Sequence, residues 1–181
     1  KMYRKIQNSA ADYSEKKMNS IIQRRCLWYM ERKGQMGTEF NGLNSVPKGS
    51  NMKIKICGLT EPKEAEYVNE HQVDFIGMVL FFSKSKRNIT LERAKEIMKC
   101  LDPKIQKVAV VVSPVLEQVQ MIEQAGFDYI QIHGEIPPGY SESCHLPVLK
   151  AFNIRDMKDF SQYSADPAVA GYVFDAIEPG S

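Results

Sequence analysis

Apolar and polar positions between residues 52 and 181 fall into blocks whose period switches in a regular order. Lys53-Ile54-Lys55-Ile56-Cys57-Gly58 is a short alternating segment, the pattern of a strand. Leu59-Thr60-Glu61-Pro62 opens a helix directly after it, with Thr60 the expected N-cap and Pro62 in the first turn. Phe75-Ile76-Gly77-Met78-Val79-Leu80-Phe81-Phe82 and Val108-Ala109-Val110-Val111-Val112 are unbroken apolar runs, as expected of strands buried on both faces of a parallel sheet. Between them Thr90 is placed to cap a helix carrying Leu91, Ala94, Ile97, Met98 and Leu101. Ser113-Pro114 marks the next helix start, Leu116, Val119, Ile122 and Ala125 its buried stripe, and Gly126 its end.

The alternation continues to the end. Tyr129-Ile130-Gln131-Ile132-His133-Gly134 predicts a fourth strand and residues 140 to 144 a short helix. Val148-Leu149-Lys150-Ala151-Phe152 predicts a fifth strand, with a helix through Met157 and Phe160 behind it. Gly171-Tyr172-Val173-Phe174-Asp175-Ala176 predicts a sixth. Six strands alternating with five helices make an α/β protein with parallel strands. A doubly wound sheet would carry a Gly-rich phosphate turn after strand one, and Cys57-Gly58-Leu59-Thr60 has a single glycine. The better match is an incomplete (β/α)8 TIM-barrel type, since a full barrel takes eight such units and typically about 250 residues. Its first and sixth strands are expected to leave unpaired edges, which predicts a chain prone to aggregate.

Residues 1–51 differ in character. Ile6, Ala10, Tyr13, Met18, Ile21, Ile22, Leu27, Trp28 and Met30 recur at roughly helical spacing within 1–33, and Gly34, Gly37, Gly42, Pro47 and Gly49 act as breakers from residue 34 to residue 51. This stretch of 1–51 holds ten Lys and Arg against four Asp and Glu, whereas the remainder holds fourteen against eighteen, within a net charge of +2. It is read as a helical basic extension and linker, separate from a partial barrel domain over 52–181. Arg24-Arg25 beside Trp28-Tyr29 is too weak a signal for nucleic-acid binding, and a solvated face explains it. No stretch approaches the roughly 20 apolar residues of a membrane span, and no apolar run comes after Lys1-Met2-Tyr3-Arg4-Lys5, so a cytoplasmic location is expected. Cys26, Cys57, Cys100 and Cys144 lie far apart, without the paired spacing of zinc ligands. They are read as free thiols, with no metal site.

Polar features collect at the predicted strand C-termini: Cys57, Ser83 to Arg87, His133, Lys150 and Asp175. In parallel barrels that end carries the chemistry. Singly, each has an ordinary reading. A buried cysteine behaves as a small hydrophobe, a lone His bonds a carbonyl, Lys84-Ser85-Lys86-Arg87 is a solvated basic turn, and Asp175 caps a loop. Together they are more specific. A thiolate is a competent base beside positive charge or a helix N-terminus, and Cys57 precedes a helix start. A partly desolvated Asp175 can stay protonated and act as an acid. Arg87 offers a planar fork for a carboxylate, and His133 joins it as a candidate for substrate binding. A base, an acid and an anion clamp suit proton shuffling on an acidic small molecule.

At these residues the chain resembles the phosphoribosylanthranilate isomerase family of tryptophan biosynthesis. Lys55-Ile56-Cys57-Gly58-Leu59-Thr60, Phe82-Ser83-Lys84-Ser85-Lys86-Arg87, Val108 to Val112, Ile130-Gln131-Ile132-His133-Gly134, Lys150-Ala151-Phe152 and Val173-Phe174-Asp175 match in order and spacing. The resemblance implies an Amadori rearrangement of the phosphorylated substrate N-(5-phosphoribosyl)anthranilate, with no metal or organic cofactor. Under it Asp175 looks like the general acid that opens the ribose ring, Cys57 the general base that takes the C2 proton, and Arg87 the holder of the anthranilate carboxylate. Family members continue with a Gly-rich loop and two further strands whose loops bind phosphate, so the 181-residue chain alone is expected to be inactive. The alternative is a non-catalytic barrel fragment or interaction module.

Overall fold

Strands and helices alternate as the periodicity predicts. The computed structural model describes residues 25–28, 53–71, 73–153 and 168–175, with the backbone alone at 25–28, 153, 174 and 175. The first half comprises β1 (Arg25–Trp28), β2 (Lys53–Cys57), α1 (Glu64–Glu70), β3 (Phe75–Leu80), β4 (Asn88–Ile89) and α2 (Leu91–Lys99). The second comprises β5 (Gln106–Val112), α3 (Leu116–Gln124), β6 (Tyr129–His133), α4 (Tyr140–Ser143), β7 (Val148–Asn153) and β8 (Val169–Asp175).

β2, β3, β5, β6, β7 and β8 pair in that order, every neighbour parallel. A doubly wound sheet reverses its order at a switch point, and this one never does. The winding is that of a TIM-barrel-type sheet, six parallel strands with helices outside. Side chains alternate across each strand, and the two faces build two cores. Ile76, Met78, Ala109, Val111, Ile130 and Ile132 face the helices and meet Ala65, Ala94, Ile97, Val119 and Ile122. Phe75, Val108, Val110, Leu149, Ala151 and Val173 face inward with Cys57, Val79 and Tyr129. Phe75 and Tyr129 meet edge to face at 5.6 Å in the inner cluster. Two aspartates lock strand entries in the same way. Asp74 accepts from the Ile54 amide at 2.8 Å, and Asp128 from the Lys107 amide at 2.7 Å. Each also pairs with a lysine of the adjoining strand, Lys53 or Lys107.

Thr90 caps α2 as expected, its hydroxyl accepting from the Arg93 amide at 3.2 Å. Thr90→Ala is expected to cost about 1 kcal/mol, read as a lowered urea midpoint at unchanged slope. The other two caps differ from expectation. Glu64 reaches back to accept from the amides of Thr60 and Glu61 at 2.7 and 3.0 Å, so α1 starts late, after Lys63. Ser113 sits at φ +41° with its amide on the His133 carbonyl, and its hydroxyl accepts from the Glu135 amide. It is committed to the neighbouring loop. Val115 therefore takes the N-cap position of α3, its amide donating to Gln118 Oε1.

β1 corrects the expectation of a helix through 1–33 at the residues described there. It is a strand, antiparallel to β2 with Arg25 opposite Ile56 and Trp28 opposite Lys53, and it also lies beside β8. The outer edge of β2, expected to be bare, is thus paired, because free strand edges are templates for any extended segment within reach. The remainder of 1–51 and the helix through Met157 and Phe160 lie outside the described residues. Among the described residues no helix is long and apolar enough to cross a membrane.

Candidate active site

Parallel strands bring all their C-termini to one end of the sheet, and the structure gathers the candidate residues there. Cys57 ends β2 opposite Gly77, His133 ends β6 opposite Val112 and Ala151, and Asp175 ends β8 opposite Asn153. The Asp175 side chain lies outside the described atoms. Its backbone is two residues beyond Val173, whose side chain is in the inner cluster. Cys57 is a half-buried free thiol.

Local geometry joins Cys57 to Arg87. The Gly58 and Leu59 amides both donate to the Gly77 carbonyl, at 2.7 and 3.1 Å, which turns the chain sharply out of β2. That turn needs φ +91° at Gly58, a conformation that side chains resist. Arg87 lies across the space a side chain would fill. A Cβ on Gly58 would come 2.6 Å from Arg87 Nη1, and Nη1 itself donates to the Cys57 carbonyl at 2.8 Å.

The loop that delivers Arg87 is held by its own polar groups. Phe81 at φ +56° ends β3 two residues before the apolar run ends. The Phe82 amide then donates to Asn88 Oδ1 at 2.8 Å, and Ser85 Oγ accepts from the Arg87 amide at 3.2 Å. Lys84 and Lys86 are left exposed while Arg87 is half-buried. The basic turn is solvated except at Arg87.

Below this rim lies a buried polar chain that the sequence reading missed. Lys55 donates to Gln131 Oε1 at 2.6 Å, and Gln131 Nε2 lies 2.8 Å from His133 Nε2. Gly77 makes room for it. A Cβ there would lie 2.8 Å from Cys57 Sγ and 3.1 Å from Lys55 Nζ. The available signal was parity: Lys55 is two residues before Cys57 and Gln131 two before His133, so each pair shares a strand face. Lys150 does not belong to this face. Its neighbours Leu149 and Ala151 point inward, whereas Lys150 Nζ bonds the Gly134 carbonyl and sits 5.0 Å over the Phe152 ring. Burial pushes its pKa down, partly opposed by Glu135. Among the described residues no cluster of His, Cys, Asp or Glu could hold a metal ion.

Thiol, guanidinium and imidazole thus lie at the end of β2, in the loop after β3 and at the end of β6, and comparison with known proteins gives the family. The profile of the N-(5'phosphoribosyl)anthranilate (PRA) isomerase family matches residues 54–181. The chain belongs to the phosphoribosylanthranilate isomerase family. The isomerase of Nitrosomonas europaea is 37% identical over 131 residues, covering 71% of this chain and 62% of that one. The isomerase of Petrotoga mobilis is 35% identical over 114 residues, covering 62% and 54%. The crystal structure of phosphoribosyl anthranilate isomerase from Thermus thermophilus superposes with a TM-score of 0.61 at 30% identity, covering 72% of this chain and 65% of that one. A further phosphoribosyl anthranilate isomerase, solved in complex with reduced 1-(o-carboxyphenylamino)-1-deoxyribulose 5-phosphate, superposes at 0.50 and 32% identity, covering 55% and 53%. The chain spans between 54% and 62% of the length of the curated relatives first matched.

Proposed function

We propose that this chain carries the base, acid and carboxylate-binding positions of a phosphoribosylanthranilate isomerase. The substrate is N-(5-phosphoribosyl)anthranilate and the product 1-(2-carboxyphenylamino)-1-deoxyribulose 5-phosphate. Asp175 protonates the ribose ring oxygen, the ring opens, and a Schiff base forms at C1. Cys57 as thiolate removes the C2 proton to give the enolamine, which tautomerises to the ketone. One acid and one base suffice for this shuffle. Arg87 holds the anthranilate carboxylate and His133 contacts substrate beside it. As an enzyme of amino-acid biosynthesis the protein works in the cytoplasm.

The observation that carries this reading is the tie from Arg87 Nη1 to the Cys57 carbonyl at 2.8 Å. It fixes a cation for an anionic substrate on the backbone of the very residue whose thiol is proposed to do the chemistry. Because the curated relatives are longer, the test joins residues 52–181 to the segment that lies beyond the matched region in a relative. Consumption of N-(5-phosphoribosyl)anthranilate, monitored by loss of its fluorescence, is expected from this chimera. A folded chimera that leaves the substrate intact would overturn the reading.

A further inference from the structure

Among the described residues Lys55 and Gln131 are buried polar side chains, 3% and 2% exposed. Both lie on the strand face that lines the barrel. A charge there is costly unless it is hydrogen-bonded, and Lys55 Nζ donates to Gln131 Oε1 at 2.6 Å. An ammonium only donates, so the end of the amide that meets it is the oxygen. The Gln131 amide is thereby oriented, with its NH2 group at His133 Nε2, 2.8 Å away. An amide NH2 donates and does not accept. His133 Nε2 must therefore present a lone pair, and such a ring is neutral with its proton on Nδ1.

We propose that Lys55 and Gln131 are positioning residues that fix His133 as the neutral, Nδ1-protonated imidazole. The fixed polarity of the lysine passes through the amide to the ring, across β2 and β6. Resting on the isomerase reading above, this gives His133 a defined part. A ring that is already neutral has no readily lost proton near neutral pH, so it does not compete with Asp175 as the acid. Nor does it add charge for an anion, which falls to Arg87. It suits an uncharged sugar oxygen instead.

The chain has three histidines, His71, His133 and His145, so long-range 15N–1H correlation of the ring nitrogens gives three patterns. His133→Asn identifies one by its loss. His71 Nδ1 lies 2.7 Å from the Tyr67 carbonyl, which requires a proton there and supplies a reference for a protonated Nδ1. At neutral pH His133 is expected to show Nε2 at the unprotonated position and Nδ1 at the protonated one. Gln131→Glu keeps an acceptor for Lys55 but offers His133 only an acceptor, so Nε2 is expected to shift to the protonated position. A purely structural glutamine would leave the ring pattern unchanged in that variant. A protonated Nε2 in the wild-type chain, or an unshifted Nε2 in the folded Gln131→Glu chain, would overturn the proposal. These spectra need no substrate, so they stand or fall separately from turnover by the chimera.

Discussion

Cys57→Ala in the chimera that supplies the remaining strands is expected to lower kcat by about 10²–10⁴-fold, with KM changed far less. The reasoning separates the two constants. The proposed role of the sulfur is to remove a proton in the transition state, whereas the group that ties Arg87 in place is the Cys57 carbonyl. Alanine keeps that carbonyl and removes only the thiol. A loss confined to kcat marks an interaction made in the transition state, and a loss confined to KM marks uniform binding. Space is not the difficulty either, since the thiol lies against a glycine, Gly77, where a Cβ would come 2.8 Å from Sγ. Removing the sulfur leaves a small gap at a half-buried position, so the fold is expected to survive. A near-normal kcat in the alanine variant would remove Cys57 from the role of base. Asp175→Asn, tested in the same chimera, makes the matching demand on the proposed acid.

How much of this was legible beforehand depends on the kind of signal each residue leaves. Val108 to Val112 and Phe75 to Leu80 announce strands because both faces of a barrel strand are buried, and their apolar runs leave no other reading. Their ends were harder. Phe81 is as apolar as Leu80, yet it adopts φ +56° and leaves the strand. Thr60 and Ser113 look like caps, because Ser and Thr accept amide bonds at helix starts. One local and one distant competitor decided otherwise: Glu64, a few residues on, takes the amides of Thr60 and Glu61, and Ser113 is tied to His133 and Glu135. β1 was missed because Leu27 and Trp28 fit a broken helical stripe equally well, and pairing with a distant strand leaves no local trace. Cys57, Arg87 and His133 stand out in the sequence by their place at predicted strand ends. Lys55 does not, because its alternation with Ile54 and Ile56 reads as the solvent face of an ordinary strand. Only the approach of β2 to β6 across the inner face, where Lys55 meets Gln131, makes that position an interior.

Gly58→Ala is expected to damage both stability and substrate binding, through two costs that can be separated. The first is backbone strain, since a side chain at φ +91° costs about 1–3 kcal/mol. The second is the guanidinium. The added methyl would sit 2.6 Å from Arg87 Nη1, so Arg87 must leave the Cys57 carbonyl. A charge-assisted bond is worth about 1.5–3 kcal/mol. Losing its equivalent to the substrate carboxylate raises KM by about 10- to 100-fold, at about 1.4 kcal/mol per factor of ten. Gly126 supplies the control. It has nearly the same φ, +89°, and nothing within 4 Å of where its Cβ would be. Gly126→Ala therefore carries strain without collision, and it is expected to lower the urea midpoint while KM in the chimera stays at the parent value. If Gly58→Ala behaves like Gly126→Ala, with a lower midpoint and an unchanged KM, then Arg87 does not hold the carboxylate. If KM rises in Gly58→Ala alone, the turn after β2 has two duties: it ends the strand, and it seats the arginine beside the thiol.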